Sequence, residues 1–210
     1  MACFPICIDI ENKKCLVVGG GTVAERKIKQ LAEFGADVTV VAENVCREVR
    51  LLGEQQSVHV FIRPFEECDV DGMCLVVAAT DDMDVNREIS SACDSRKIPV
   101  NVVDRKELCS FYFPAIIKDE ELVVSVSTGG TSPLLASELK ERLEDFLMGD
   151  NTNNYGRAAV IMGKYREYIK DNVEDETLRR RIYKILLDKA LINDDISQED
   201  VDKILKKNNK

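Results

Sequence analysis

Short, continuous apolar runs alternate with amphipathic stretches through the first half of the chain. The runs are rich in β-branched residues and predict strands at 15–19, 37–41, 57–63, 74–79 and 98–104. Between them, apolar residues recur at helical spacing over 23–35, 44–54 and 83–96, and Asp81 or Asp82 would cap the last of these helices. Apolar strands that alternate with helices are typical of a parallel sheet covered on both faces. Residues 1–104 are therefore predicted to form a doubly wound α/β domain.

The pattern changes after residue 104. Strand-like runs at 110–117 and 121–128, joined by a polar turn, predict an antiparallel hairpin. A Gly/Ser/Thr loop at 127–133 then leads into an amphipathic helix at 134–147. Residues 149–154 are predicted to be a linker, followed by helices at 156–173, 175–191 and 197–207. The sequence thus predicts three parts: 1–104, a small α+β segment at 105–148, and a C-terminal helical domain at 149–210.

Three consecutive glycines stand between the first predicted strand and the first predicted helix. Gly19, Gly21 and Ala24 fit the pattern G-x-G-x-x-G/A in the position that dinucleotide-binding, Rossmann-type domains require. The first glycine makes the tight turn, the second lets the backbone approach a pyrophosphate, and the small third residue lets the helix pack on the strand. The N-terminus of the helix would then face the phosphates. The alternative is a strand-to-helix turn that binds no ligand.

An acidic residue near the end of the second strand of such a domain usually binds the adenosine ribose hydroxyls. Glu43 lies 24 positions beyond Gly19, one residue past the run "VTVVA". A carboxylate there would repel a 2′-phosphate, which favours NAD over NADP as the cofactor. The alternative is that Glu43 is a surface acid that caps the next helix.

Composition and charge limit the classes of partner. The net charge of −9 argues against nucleic acid, because binding phosphates needs a basic face. The sequence has neither an apolar run of membrane-spanning length nor a recognisable signal peptide. The eight cysteines form no CxxC pair, and several lie in apolar runs, where they would be buried thiols. We therefore expect a cytoplasmic protein with no metal site built from cysteines.

Five stretches of the chain together resemble the precorrin-2 dehydrogenase family, in that family's order and spacing. They are "VVGGGTVAERK", "GADVTVVA", "LVVAATDDMDVN", "VNVVD" and "SVSTGGTSP". The family includes stand-alone enzymes and the N-terminal module of siroheme synthase. The resemblance implies oxidation of precorrin-2, a tetrapyrrole with eight carboxylates, to sirohydrochlorin by NAD⁺. It also implies a homodimer in which the segment at about 105–148 builds much of the interface.

The resemblance also implies roles for particular residues. The loop after the first strand would bind the dinucleotide, the residues after the second strand would lie along the adenosine ribose, and those after the fourth would lie near the nicotinamide ribose. These cofactor-binding candidates are Gly19, Gly21, Thr22, Val23, Glu43, Asn44, Ala79 and Thr80. Many relatives have proline where this chain has Glu43, which weakens the case for its ribose role. The substrate-binding candidates are Arg105, Ser127, Thr128 and Gly129.

Asp104, which closes "VNVVD", is the principal catalytic candidate that the resemblance implies. The end of a parallel strand suits this role, because ligands of open α/β sheets bind there. We predict that Asp104 is a general base that takes the proton lost by the tetrapyrrole. Local cations must also bind the substrate carboxylates, and the candidates are Arg63, Arg105, Lys106, Lys118, Arg157 and Lys164.

Two other functions stay open from the sequence. One is a bifunctional dehydrogenase that also inserts ferrous iron into sirohydrochlorin, since in this family chelation is thought to use the same cleft. The other is a non-catalytic, NAD-sensing Rossmann module. The second would not need the combination of "VNVVD" with "SVSTGGTSP".

Overall fold

The computed structural model of the chain describes residues 4–149, 154–193 and 195–208. These residues divide into two compact units, 4–113 and 114–208. Most of the predicted linker at 149–154 lies outside the described residues. The division of the chain into 1–104, 105–148 and 149–210 stays a prediction.

The first unit contains one five-stranded sheet in the order β3-β2-β1-β4-β5, and every neighbouring pair of strands is parallel. The strands are β1 (Lys14–Val18), β2 (Asp37–Ala42), β3 (His59–Ile62), β4 (Leu75–Ala78) and β5 (Val100–Val102). The helices that connect them are α1 (Thr22–Glu33), α2 (Arg47–Glu54) and α3 (Met83–Ser95). The predicted doubly wound α/β fold is confirmed.

The central strands β1, β2 and β4 are mostly apolar and buried because the sheet is covered on both faces there. Side chains alternate between the two faces along a strand. Cys15 and Val17 of β1 pack into the core that contains α1, whereas Leu16 and Val18 pack into the core that contains α3. Asp82 caps α3 by accepting hydrogen bonds from the backbone N–H groups of the first turn, as one of the two predicted caps.

The second unit begins with an antiparallel hairpin and continues with helices. The hairpin pairs β6 (Ala115–Asp119) with β7 (Leu122–Val126). The helices are α4 (Pro133–Met148), α5 (Tyr155–Asn172), α6 (Glu176–Ala190) and α7 (Gln198–Asn208). Helices α5, α6 and α7 enclose an apolar core that includes Ile161, Ile182 and Leu186. An antiparallel hairpin and three C-terminal helices occur in the predicted order, and the three helices begin and end within a few residues of the predicted positions.

One predicted strand starts later than expected. The apolar pattern predicts a strand from residue 110, but β6 begins at Ala115. The backbone N–H groups of Ser110 and Phe111 donate instead to the Val100 carbonyl of β5, and Pro114 has no N–H to donate to a ladder. No helix among the described residues is long and apolar enough to cross a membrane.

Candidate dinucleotide site

A cavity of about 920 Å³ opens at the carboxyl ends of the strands of the first unit. Its wall is built from the loops that follow all five strands of the sheet. The strand order reverses between β1 and β4, and open α/β sheets bind their ligands at such a switch point. The structure therefore brings together residues that are up to 86 positions apart, such as Val18 and Asp104.

The three glycines after β1 have different structural roles. Gly19 has a φ of +125°, and a Cβ atom there would lie 2.6 Å from the Ala79 carbonyl carbon after β4. A Cβ atom on Gly20 would lie 2.8 Å from the Val45 Cα atom. Gly21 is different, because a Cβ atom there would meet nothing within 4 Å. Gly19 and Gly20 thus permit close approach of loops, and Gly21 keeps space open at the cavity wall.

The need for Gly20 was missed by sequence reasoning, because position 20 is variable in the G-x-G-x-x-G/A pattern. Its carbonyl accepts a hydrogen bond of 2.7 Å from the Cys46 N–H, which joins the glycine loop to the loop after β2. The run of three glycines was the available signal, since the pattern itself requires two.

The start of α1 can receive an anionic group. Its N-cap is Gly21, and no side chain caps it, whereas Asp82 caps α3. The first N–H groups of a helix have no partner within the helix and carry partial positive charge. Thr22 and Val23, two of the predicted cofactor residues, provide this first turn and line the cavity. A dinucleotide pyrophosphate fits this uncapped helix start and the open space beside Gly21.

Glu43 and Asn44 lie directly after β2 and line the same cavity. Both are exposed in the structure. Arg63, which follows β3, lines this end of the cavity as well, and its backbone N–H donates to the Ala42 carbonyl at 3.1 Å. Its guanidinium group does not extend freely, because it forms two hydrogen bonds with the carboxylate of Asp69, at 2.8 and 2.5 Å.

Ala79 and Thr80 follow β4 and face the cavity opposite the glycine loop. The Thr80 hydroxyl lies 2.9 Å from the Asn86 Oδ1 atom, and the Asn86 amide donates to the Thr80 carbonyl at 2.9 Å. Asn86 is 2% exposed, so its polar groups depend on these partners. Sequence reasoning missed Asn86, although a polar residue on the buried face of an amphipathic helix was a usable signal.

Asp104 lies just beyond β5 and lines the cavity. Its φ of +59° is in the left-handed region, where aspartate is one of the more tolerated residues. Cys109 contacts both sides of the turn that carries Asp104. Its thiol lies 3.2 Å from the Val102 carbonyl and 3.1 Å from the Arg105 carbonyl. Burial raises the pKa of this thiol, so Cys109 stays protonated at neutral pH.

The predicted substrate residues are divided between the two units. Arg105 follows Asp104, and its Nε atom lies 3.3 Å from the Met83 sulfur. Ser127, Thr128 and Gly129 lie in the second unit, between β7 and α4. There the Thr128 hydroxyl donates to the Ser132 carbonyl at 3.0 Å, which orders the loop before α4. Their roles in substrate binding stay predictions.

One group of possible metal ligands occurs among the described residues. Glu25, Cys46 and Glu48 place their ligand atoms within 4.8 Å of one another. Glu25 is already paired with Lys29 on the same helix at 2.5 Å. No further feature of the structure indicates a metal ion at this group.

The parallel sheet, the glycine loop and the cavity at the switch point define a Rossmann-type dinucleotide-binding protein. A family model described as putative NAD(P)-binding matches residues 6–115, and a model described as sirohaem biosynthesis protein central matches residues 119–145. The chain therefore belongs to the putative NAD(P)-binding family. The predicted resemblance to the precorrin-2 dehydrogenase family is confirmed by these two models together with the relatives that match most of the chain.

Curated relatives include the siroheme synthase of Thioalkalivibrio sulfidiphilus, which is 44% identical over 185 residues, or 88% of this chain and 37% of the relative. The siroheme synthase of Methylobacillus flagellatus is 39% identical over 180 residues, or 86% of this chain and 38% of the relative. The chain thus spans little more than a third of these relatives. The solved structure of SirC, a precorrin-2 dehydrogenase, is 26% identical, and the match covers 99% of each chain with a TM-score of 0.70.

Proposed function

We propose that this chain is an NAD-dependent dehydrogenase that oxidises precorrin-2 to sirohydrochlorin in siroheme biosynthesis. The observation that carries the proposal is the position of Asp104, in the wall of the cavity that also contains the glycine loop. The likeness to SirC over 99% of both chains supports the same activity. The siroheme synthases that match this chain support the pathway.

Some residues of the cavity would bind the dinucleotide, and another would accept a proton from the substrate. The backbone around Gly21 and Thr22 would hold the pyrophosphate, and Glu43 would accept hydrogen bonds from the adenosine ribose. The dinucleotide supplies the hydride acceptor when it is bound. Oxidation of precorrin-2 removes a proton as well as a hydride, and we assign the proton to the Asp104 carboxylate.

The activity is tested by visible absorption of precorrin-2 mixed with the protein under anaerobic conditions, with and without NAD⁺. We expect the sirohydrochlorin spectrum to appear only when NAD⁺ is present. If NAD⁺ binds but the spectrum does not change, the chain is a dinucleotide-binding module without this activity. Addition of ferrous iron after complete oxidation then tests for the ferrochelatase activity.

The role of Asp104 is tested by the substitution Asp104→Asn, which preserves shape and removes the basic carboxylate. We expect turnover of precorrin-2 to fall by a factor of about 10²–10⁴, the usual contribution of a general base. The dissociation constant for NAD⁺ should stay close to that of the wild type. Wild-type turnover by this variant would remove Asp104 from the mechanism.

We also propose that the chain forms a homodimer through α4. This helix exposes Leu134 at 82%, Leu135 at 50% and Phe146 at 57%, which is more apolar surface than a solvent-facing helix needs. Light scattering after gel filtration should give twice the monomer mass, and Leu135→Asp should shift the mass to that of the monomer. Glu141→Gln, an exposed polar position of the same helix, is the matched control and should leave the dimer intact.

A cytoplasmic location is proposed on the state of the cysteines. All seven cysteines that the structure describes are free thiols. Unpaired cysteines in this number are typical of a reducing compartment. Fractionation of cells that express the tagged protein tests this location, and recovery in the membrane or secreted fraction would contradict it.

A further inference from the structure

The position of Arg63 raises the question of which dinucleotide the cavity accepts. Arg63 follows β3, and its backbone is hydrogen-bonded to Ala42, the last residue of β2. Glu43 follows Ala42 in the chain, and Glu43 and Arg63 both line the cavity. The carboxyl end of β2 is where dinucleotide-binding domains place the adenosine ribose, and an arginine nearby is what accommodates a 2′-phosphate. By position, Arg63 is therefore a residue that would favour NADP.

The structure holds the Arg63 guanidinium in an ion pair. Its two terminal nitrogens donate to the two oxygens of Asp69 at 2.8 and 2.5 Å, and one of them also donates to the Pro64 carbonyl at 3.0 Å. The Asp69 side chain is 10% exposed and the Arg63 side chain 34%, so the pair is partly shielded from water. The two parallel hydrogen bonds fix the orientation of the guanidinium, and the carboxylate compensates its positive charge.

Asp69 is itself held in place by the backbone. It lies in a short 3₁₀ turn at Glu67–Val70 and accepts a hydrogen bond of 2.9 Å from the Glu66 N–H. The hydrogen bonds from Arg63 lower the pKa of the Asp69 carboxyl, so it stays ionised at neutral pH. Arg63 therefore moves toward a ligand only by leaving a fixed, charged partner.

We infer that Asp69 is a positioning residue that makes the cavity reject NADP⁺, because it neutralises Arg63 and leaves Glu43 to repel the 2′-phosphate. A 2′-phosphate carries about −1.5 to −2 charges at neutral pH and needs a free cation. The ribose diol of NAD⁺ is neutral, so the pairing of Arg63 with Asp69 does not lower the affinity for NAD⁺. The inference deepens the proposed function and rests on it, since it concerns the same dinucleotide.

The inference is tested by calorimetric binding of NAD⁺ and NADP⁺ to the wild type and to three variants. In Asp69→Asn, which keeps an oxygen that can accept from the Glu66 N–H, the preference for NAD⁺ over NADP⁺ should fall at least tenfold. Glu43→Gln should also lower the preference, by removing the repulsion. The double variant Asp69→Asn/Arg63→Gln should regain the wild-type preference, because no arginine remains to be released.

A purely structural role of Asp69 would weaken the binding of both dinucleotides equally and would leave their ratio unchanged. A ratio within twofold of the wild type in Asp69→Asn, or an equal loss of preference in the double variant, would overturn the inference. If Asp69→Asn does not fold, as judged by circular dichroism, Asp69→Ser is used with the same expectations. If the wild type binds NAD⁺ and the variants keep its preference for NAD⁺ over NADP⁺, the inference is refuted and the proposed function is not. A wild type that binds neither dinucleotide refutes the proposed function together with it.

Discussion

The glycine loop allows two adjacent substitutions with opposite expected effects. A Cβ atom on Gly20 would lie 2.8 Å from the Val45 Cα atom and closer still to the Asn44 carbonyl oxygen. Both contacts are with backbone atoms, which cannot turn aside as a side chain can. The 2.7 Å hydrogen bond from Cys46 to Gly20 ties the same two loops together. Gly20→Ala therefore requires the loops to separate by about 1 Å to restore ordinary van der Waals distances.

Overpacking of this kind costs roughly 1–3 kcal/mol, and a clash with fixed backbone belongs at the upper end. Each kcal/mol lowers the melting temperature by about 2–4 °C in a protein of this size. At about 3 kcal/mol of overpacking, the first unit should then melt roughly 10 °C lower in Gly20→Ala. The separation of the loops should also weaken the binding of NAD⁺.

Gly21→Ala is the matched control for the same loop. Gly21 has φ −83° and ψ −174°, which alanine adopts without strain, and a Cβ atom there meets nothing within 4 Å. Replacement of glycine at a compatible position stabilises a protein by about 0.4–1 kcal/mol. The added methyl group would occupy the space proposed for the pyrophosphate, so binding of NAD⁺ should weaken at least about tenfold, or 1.4 kcal/mol.

Differential scanning calorimetry and NAD⁺ titration of the two variants distinguish these expectations. Gly20→Ala should lose stability, and Gly21→Ala should lose affinity while it keeps or gains stability. A Gly20→Ala protein with the wild-type melting temperature would refute the packing argument. A Gly21→Ala protein with wild-type affinity would show that the pyrophosphate does not lie beside this residue.

Three further substitutions test other parts of the structure. Asn86→Ala removes the amide that donates to the Thr80 carbonyl. The free energy of unfolding, measured with urea, should fall by about 1–3 kcal/mol. Burial lowers the pKa of Lys27 to about 8, so its charged form opposes folding at low pH. Lys27→Met should therefore be more stable than the wild type at pH 7, and urea unfolding should show this advantage shrinking as the pH rises from 8 toward 10.5. Gly156→Ala would place a Cβ atom 2.5 Å from the Asp119 carbonyl oxygen. The free energy of unfolding of the second unit, measured by thermal unfolding, should fall by about 1–3 kcal/mol. Gly163→Ala, with nothing within 4 Å of its Cβ atom, is the control and should cause no such loss.

Much of the first unit is predictable from the sequence because its signals are local. The apolar strand β1, the glycines after it and the amphipathic helix α1 lie within twenty residues, and each dictates backbone conformation directly. The cap at Asp82 is predictable for the same reason, since a carboxylate before a helix binds that helix's own N–H groups. Local chemistry thus predicts the glycine loop and the start of α1, whereas the cavity that they line also needs the loops after the other four strands.

Features that depend on contacts between distant segments are not predictable in this way. The apolar residues Phe111 and Phe113 give a strand-like pattern, but they pack on the core of the first unit instead of entering a ladder. Similarly, Arg63 is a reasonable candidate for binding substrate when only its charge is known. Its pairing with Asp69 depends on a 3₁₀ turn for which the hydrophobic pattern has no signal.

The cavity wall is acidic, so the proposed substrate with its eight carboxylates needs cations that lie outside this wall. Among the described residues that line the cavity, the acids include Glu43, Asp81 and Asp104, and Arg63 is the one arginine or lysine. Arg63 is paired with Asp69, which compensates much of its charge, and its role in binding substrate stays a prediction. Arg105 is different, since among the described residues its guanidinium contacts the Met83 sulfur and no carboxylate. A thioether is a weak acceptor and leaves the charge uncompensated, which supports the proposed role of Arg105 in binding a substrate carboxylate next to Asp104.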